Sequence, residues 1–147
     1  MTNIEENVTK FEDGKIKQKN IDKISLQELD ILYIEDDFLC QEVVKLYLKN
    51  FANIDIASNA KNALYLLENK SYNMLLLDIN LGKDISGLDV IEKIKKIPHY
   101  KDIPVVAVTA YAMKGDKEEI MKAGCSYYLS KPFEKDELLN IILKALS

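Results

Sequence analysis

Long apolar runs are missing from this chain: none exceeds four or five residues, Val105-Val106-Ala107-Val108 being typical, so no segment reads as a membrane span. A leader is missing too. Met1 to Val8 carries Glu5 and Glu6 with no continuous apolar stretch behind them, which leaves a cytoplasmic chain as the expectation. Positive charge is not in excess: 20 Lys and Arg stand against 24 Asp and Glu, a net −4, and no nucleic-acid surface is expected. Cysteine is scarce. Cys40 and Cys125 are too far apart for a disulfide framework or a metal knuckle and read as small buried residues of a reduced protein. What remains is ordinary for a folded domain, 48% hydrophobic and 30% charged over 147 residues, enough for one full core and not for two.

From Ile31 onward, short apolar runs alternate with amphipathic stretches. The runs are Ile31-Leu32-Tyr33-Ile34, Ile54-Asp55-Ile56-Ala57, Met74-Leu75-Leu76-Leu77, Val105-Val106-Ala107-Val108 and Tyr127-Tyr128-Leu129. Four are continuously apolar, as strands covered on both faces should be. Helical spacing links Leu39, Val43, Leu46 and Tyr47, then Ala60, Ala63, Leu64 and Leu67, then Leu88, Ile91 and Ile94. The last helix shows Leu138, Ile141, Ile142 and Ala145, while the fourth, around residues 116–123, offers only Ile120 and Met121 as large apolar residues. Ser86 followed by Asp89 resembles a capping box, Gly124 stops the fourth helix, and Pro98 and Pro104 bracket the way into the fourth strand. Five successive β-α units predict an α/β, doubly wound five-stranded parallel sheet with helices on both faces.

Residues 1–28 stand apart as a short N-terminal extension to a domain over 29–147. Their charge is mixed, and Ile4, Val8 and Phe11 have helical spacing, so the choice is between a solvated tail and a short helix packed on the domain or on a partner.

The chemistry sits where strands end. Glu35-Asp36-Asp37 closes the first strand and Asp78 the third. In a sheet of order 2-1-3-4-5 those strands are neighbours, and ligands bind in the crevice beyond their carboxyl ends. Carboxylates gathered there repel one another and lose solvation unless a divalent cation offsets them. Hard oxygen donors suit Mg²⁺, with Mn²⁺ as the alternative. Thr109 follows the fourth strand with a hydroxyl, and Lys131 follows the fifth with a compact positive charge. Acid, acid, hydroxyl and ammonium on one rim are the parts phosphoryl transfer needs: a nucleophile, a cation, and donors for the remaining oxygens.

On those residues the chain resembles the response-regulator receiver family over 29–147. The resemblance is carried by Ile34-Glu35-Asp36-Asp37, Leu77-Asp78-Ile79-Asn80, Val108-Thr109-Ala110 and Ser130-Lys131-Pro132-Phe133. The stretch from Val105 to Lys117 is similar to receivers of hybrid histidine kinases and to single-domain relay regulators of the DivK type. The resemblance implies a flavodoxin-like, CheY-like (βα)5 fold with Asp78 as phosphoacceptor. It implies Mg²⁺ held by Asp36, Asp78 and the Asn80 backbone carbonyl, with Glu35 holding a metal-bound water. It implies Thr109 and Lys131 on the phosphoryl oxygens, Tyr128 turning inward as the switch aromatic, and a cis Lys131-Pro132 bond. The phosphoryl donor it implies is a phosphohistidine on a sensor histidine kinase or a histidine phosphotransfer protein, docking near the first helix. The output it implies is a changed affinity of the helix 4, strand 5, helix 5 face for a downstream protein of unknown identity. Such a chain is a signalling domain in two-component phosphorelay, not an enzyme, and homodimerisation is left open.

Three departures from the family pattern stand out. The segment Asn80 to Gly87 lacks the usual proline and is one residue longer, which suggests a more mobile loop. Glu134 replaces a better helix cap, which suggests a looser start to the last helix. Tyr111 is bulky where water approaches the phosphoaspartate, which suggests slow self-dephosphorylation. Asp37 reads as a helix cap rather than a ligand, and Tyr33, Tyr47 and Tyr127 as core or half-buried packing. His99 lies in a polar loop and is not read as a phosphodonor, while Lys95-Lys96 and Lys114 with Lys117 read as solvated faces. A turnover phosphatase using an aspartyl phosphate would want an acid two residues after Asp78, where Asn80 stands. A phosphorylation-independent binding module would not need the acid, threonine and lysine set. Since Ser147 follows directly on the last helix, no attached effector domain is expected.

Overall fold

The computed structural model describes residues 11–12, 15–16, 28–80, 86–110 and 114–147. In chain order the main elements are β1 Asp30–Ile34, α1 Phe38–Leu48, β2 Asn53–Ala57, α2 Ala60–Asn69 and β3 Met74–Asp78. They continue as α3 Gly87–Lys95, β4 Val105–Thr109, α4 Lys114–Lys122, β5 Tyr127–Ser130 and α5 Lys135–Leu146. The strands pair in parallel in the order β2-β1-β3-β4-β5, the doubly wound arrangement expected.

The continuous apolar runs are explained by what covers the sheet. Alternate side chains of a strand face opposite ways. Leu32, Ile34, Leu75, Leu77, Val105 and Ala107 join the core under α2 and α3. Their neighbours Ile31, Tyr33, Met74, Leu76, Val106 and Val108 join the core under α1 and α5. Every residue of β3 and β4 is buried, so both faces are closed by helices. Each such aliphatic side chain contributes about 1.5–3 kcal/mol relative to exposure.

Local chemistry fixes where the helices begin. Asp37 Oδ2 accepts from Cys40 N at 2.8 Å, Asn59 Oδ1 from Asn62 N at 2.8 Å, and Ser86 Oγ from Leu88 N at 3.1 Å. Each cap is worth about 1 kcal/mol. At α5 the expectation of a loose start is overturned. Glu137 reaches back to accept the Glu134 N–H at 2.9 Å, and the Glu134 side chain completes a capping box. The two glutamates thus satisfy two end N–H groups reciprocally, as the serine and glutamate of a capping box do. Gly124, at φ 117°, ends the segment after α4 in a conformation other residues resist.

Two further readings change. In α1 the buried residues are Gln41, Val44 and Leu48; of the stripe picked by spacing, Leu39 is 72% and Leu46 63% exposed, and Tyr47 alone packs against the core. The helix is apolar nearly all round, and periodicity alone cannot then choose a face. Lys95 is not simply solvated: its ammonium donates to Ile103 O at 2.7 Å. Upstream, Phe11–Glu12 pairs antiparallel with Lys15–Ile16, so Phe11 lies in a strand. Ile4 and Val8, the rest of that helical spacing, lie outside the described residues, as do residues 81–85, Tyr111 and the Lys114 side chain. No helix among the described residues is long and apolar enough to cross a membrane.

Candidate functional site

Strand register builds the site. Ile34 pairs with Leu77, so Glu35 falls level with Asp78; Asp78 pairs with Val108, so Thr109 lies one step beyond; Thr109 pairs with Ser130, so Lys131 lies one step further. Four strand ends thus deliver their functional residues to one rim.

Glu35 leaves β1 with its N–H bonded to Ala57 O at 2.9 Å and its carbonyl accepting from Gln41 Nε2 at 2.6 Å. Its carboxylate is fully buried. Oε1 accepts from the Tyr33 hydroxyl at 2.8 Å and from the Lys131 ammonium at 2.5 Å, while Oε2 takes Asp37 N at 3.3 Å. Asp78 is 5% exposed; Oδ1 accepts from Asn80 N at 3.1 Å, and Oδ2 lies 3.5 Å from Lys131 Nζ. Lys131 is anchored through its backbone N–H on Thr109 O at 2.9 Å, and the Lys131-Pro132 bond is cis, as the resemblance implied. Thr109 is fully buried. Tyr128 is half-buried and packs against the core under α2 and α3. Asp36 is exposed, and one carboxylate oxygen from each of Glu35, Asp36 and Asp78 lies within 4.8 Å of the others. Asp37 caps α1 and stays outside that group, as read.

The segment behind Asp78 is closed at its base. Gly87 N donates to Ile79 O at 2.7 Å, and Asn80 bridges Ser86. A Cβ at Gly87 would lie 2.6 Å from both Asp78 O and Ile79 Cα, so only glycine fits. The proline-free loop itself, residues 81–85, and Tyr111 fall outside the described residues.

Burial sets the electrostatics. It pushes Asp78 up to about 7, with the hydrogen bond to Glu35 and the Glu35 charge adding to it. Burial also works on Glu35, but bonds from Asp78, Lys131 and Tyr33 outweigh it and hold Glu35 below its ordinary value. Burial lowers Lys131, yet the bond to Glu35 and the charge of Asp78 overcome it, so the ammonium stays protonated. Without a cation, therefore, Glu35 stays ionised, Asp78 gives up its proton less readily than an ordinary carboxyl, and Lys131 lies between them.

Three contributors escaped the sequence. The Tyr33 hydroxyl reaches into the site although the residue reads as core; its position two residues before Glu35, on the same face of β1, was the available signal. Cys40 Sγ, 3.5 Å from Lys131 Nζ, had none, nor did Gln41 beneath Glu35. Burial, then Asp37, pushes the Cys40 thiol up to about 11.

Comparison with known proteins agrees. The family model for the response regulator receiver domain matches residues 31–143. The DivK polar-differentiation response regulator of Brucella anthropi is 40% identical over 84 residues, 57% of this chain and 68% of that protein. The signal transduction histidine-protein kinase BarA of Escherichia coli is 29% identical over 117 residues; 79% of this chain is matched, but only 13% of BarA. Among solved structures, the receiver domain of sensor histidine kinase PA1611 from Pseudomonas aeruginosa, with a magnesium ion coordinated in its active site cleft, superposes with a TM-score of 0.73 at 28% identity, over 80% of this chain and 97% of that one. With the strand order, the converging strand ends and the family match over 31–143 in agreement, the chain belongs to the response regulator receiver domain family of two-component signalling.

Proposed function

We propose that this chain accepts a phosphoryl group on Asp78 from a phosphohistidine and uses the added charge to switch a protein-binding surface. The observation that carries the reading is the placement of Lys131 between two buried acids, 2.5 Å from Glu35 and 3.5 Å from Asp78, with Thr109 on the neighbouring strand end. The anionic oxygens of Glu35, Asp36 and Asp78 form a donor set that fits Mg²⁺: close together, hard, and with two of the three carboxyls buried. Asp36, Asp78 and the Asn80 carbonyl would hold it, Glu35 through a water. When bound, the cation would offset the acids and the charge of an incoming phosphoryl group.

The chain's own residues do the rest. An Asp78 carboxylate oxygen forms the new bond to phosphorus as the histidine nitrogen leaves with the electrons of the old one. Lys131 moves onto the transferred oxygens, and the Thr109 hydroxyl donates to another. Space vacated by Thr109 is taken by Tyr128, and the α4, β5, α5 face shifts between two populations, biased typically by about 1–3 kcal/mol. The donor, a sensor histidine kinase or histidine phosphotransfer protein in the cytoplasm, docks beside α1. There Phe38, Leu39 and Leu46 are 67%, 72% and 63% exposed, next to a groove of about 510 Å³ lined by Leu39, Val43, Tyr47, Pro132 and Phe133 with Lys131. Such an apolar patch suits a partner helix. Turnover on an external substrate is disfavoured because Asn80 occupies the position where a second acid would be needed.

Acetyl phosphate with Mg²⁺ should label the chain, and Asp78→Asn should abolish the label. Persistent labelling of Asp78→Asn would refute the assignment.

A further inference from the structure

Tyr33 is fully buried in the core under α1 and α5, where its ring packs like any other large side chain. Its hydroxyl does something else. A buried phenolic O–H needs an acceptor, and here the acceptor is Glu35 Oε1 at 2.8 Å. A phenol carries its proton at neutral pH, so the group donates to Oε1 throughout. The same oxygen takes the Lys131 ammonium, which must also serve Asp78 from 3.5 Å away. One cation is therefore shared between a carboxylate that never leaves the interior and an acceptor that will carry new charge.

We propose that Tyr33 is a positioning residue whose hydroxyl keeps Glu35 Oε1 hydrogen-bonded when Lys131 moves off to the phosphoryl oxygens on Asp78. Stripping a buried carboxylate oxygen of its partner is costly, because the group loses water without gaining a donor. If Lys131 were the sole donor to Oε1, that cost would hold the ammonium on Glu35 and oppose its transfer. With the phenol in place, Oε1 retains one strong donor throughout. The geometry suits this division, since Tyr33 approaches from within the sheet and Lys131 from the rim, so neither displaces the other. The inference rests on the Asp78 reading given above.

Tyr33→Phe keeps the ring and removes only the donor. The test is to measure two affinities in the full chain, Mg²⁺ alone and beryllium fluoride at saturating Mg²⁺, by isothermal titration. In the Mg²⁺ titration Lys131 stays on Glu35, so any loss of affinity in the variant should be smaller than the loss with beryllium fluoride. In the beryllium fluoride titration Lys131 must leave, and affinity should fall about tenfold, the scale of one hydrogen bond to a charged group. Equal beryllium fluoride affinity in the two chains overturns the proposal. So does a loss of the same size in both titrations, which would mark general damage to the site. If the unsubstituted chain fails to bind beryllium fluoride, the Asp78 reading falls and takes this one with it. Tyrosine ¹³Cζ NMR asks the same question without a substitution: the Tyr33 resonance should keep the shift of a phenol bonded to a carboxylate when beryllium fluoride is added. A move to the position of an unbonded phenol would contradict the proposal.

Discussion

Two clusters in this molecule use the same side chains to opposite effect. At the carboxyl ends of the strands stand Glu35, Asp78, Lys131 and Tyr33. Towards the amino ends stand Asp55, Asp30, Lys70 and Tyr72, with Lys70 Nζ 2.9 Å from Asp55 and 3.7 Å from Asp30, and the Tyr72 hydroxyl 2.6 Å from Asp55. Distances are alike; surroundings are not. The Lys70 and Asp55 side chains are 43% and 34% exposed, against 17% for Lys131 and none for Glu35. Burial raises Asp55 too, but bonds from Tyr72 and Lys70 outweigh it and hold the acid below its ordinary value, leaving a plain ion pair. At the rim, two buried acids share one lysine, and Asp78 is pushed up to about 7 instead. The first cluster is a settled structural pair; the second is under-neutralised and ready for added positive charge. Each lysine faces two acids, so burial makes the difference, not residue type or the number of acids.

Breaking the lysines should show this most strongly. Lys131→Met strands buried Glu35 and should cost about 3 kcal/mol, the low end for a broken buried pair because Tyr33 still serves Oε1. Lys70→Met, removing a solvated partner, should cost less than about 1 kcal/mol. Urea denaturation of both variants checks the ratio; equal costs would erase the distinction drawn between the clusters.

Gly87→Ala comes next. Its methyl would sit 2.6 Å from Asp78 O, so the backbone carrying Asp78 must shift. A loss of about 2 kcal/mol is expected from such overpacking, with slower labelling by acetyl phosphate. Labelling at the unsubstituted rate would mean that the loop base does not position Asp78.

The pH dependence should separate the clusters further. Asp78 is raised in the folded chain, so its favourable contribution is complete below the ordinary carboxylate value and is lost as pH climbs to about 7. Glu35, lowered, contributes in the opposite sense: its stabilisation is present above the ordinary value and fades as pH falls. The metal-free protein should therefore be most stable in mild acid and lose at most about 1.4 kcal/mol per pH unit on the way to neutrality. Asp78→Asn should flatten that loss. Thermal melts from pH 5 to 8 decide it, and an unchanged slope in Asp78→Asn would assign the titration elsewhere.

Smallest is the effect of salt. Raising NaCl to 1 M should weaken the exposed Lys70 pair by a few tenths of a kcal/mol, about the reach of screening on solvated charges, and leave the Lys131 pair nearly unaffected. A double-mutant cycle on each pair at low and high salt would measure it.

Much of this was legible in the residues themselves. The runs from Ile31, Met74 and Val105 are apolar on consecutive positions, as strands covered on both faces should be; the acids and Thr109 fall one or two places after them, and Lys131 two places after Tyr127-Tyr128-Leu129. What could not be read depends on which way a side chain turns. The α1 helix is apolar nearly all round, so spacing selected Leu39 and Leu46, which point outward, over Val44 and Leu48. Glu134 looked like a poor cap because cap preferences are averages, and Glu137 supplies the reciprocal bond. Tyr33 looked like packing because its ring is packing; only its hydroxyl belongs to the site. The upward shift of Asp78 follows from burial and from a neighbour distant in sequence, information no local pattern carries.

Asp78, the acid at the end of β3, is the group proposed to take up the phosphoryl group. Treating the chain with acetyl phosphate and Mg²⁺, reducing with borohydride and mapping the peptides tests this directly, because reduction converts an aspartyl phosphate to homoserine. Homoserine at position 78, dependent on Mg²⁺ and absent from Asp36 and Asp55, is the result expected. Modification at another acid, or none while Asp78 is intact, would contradict it.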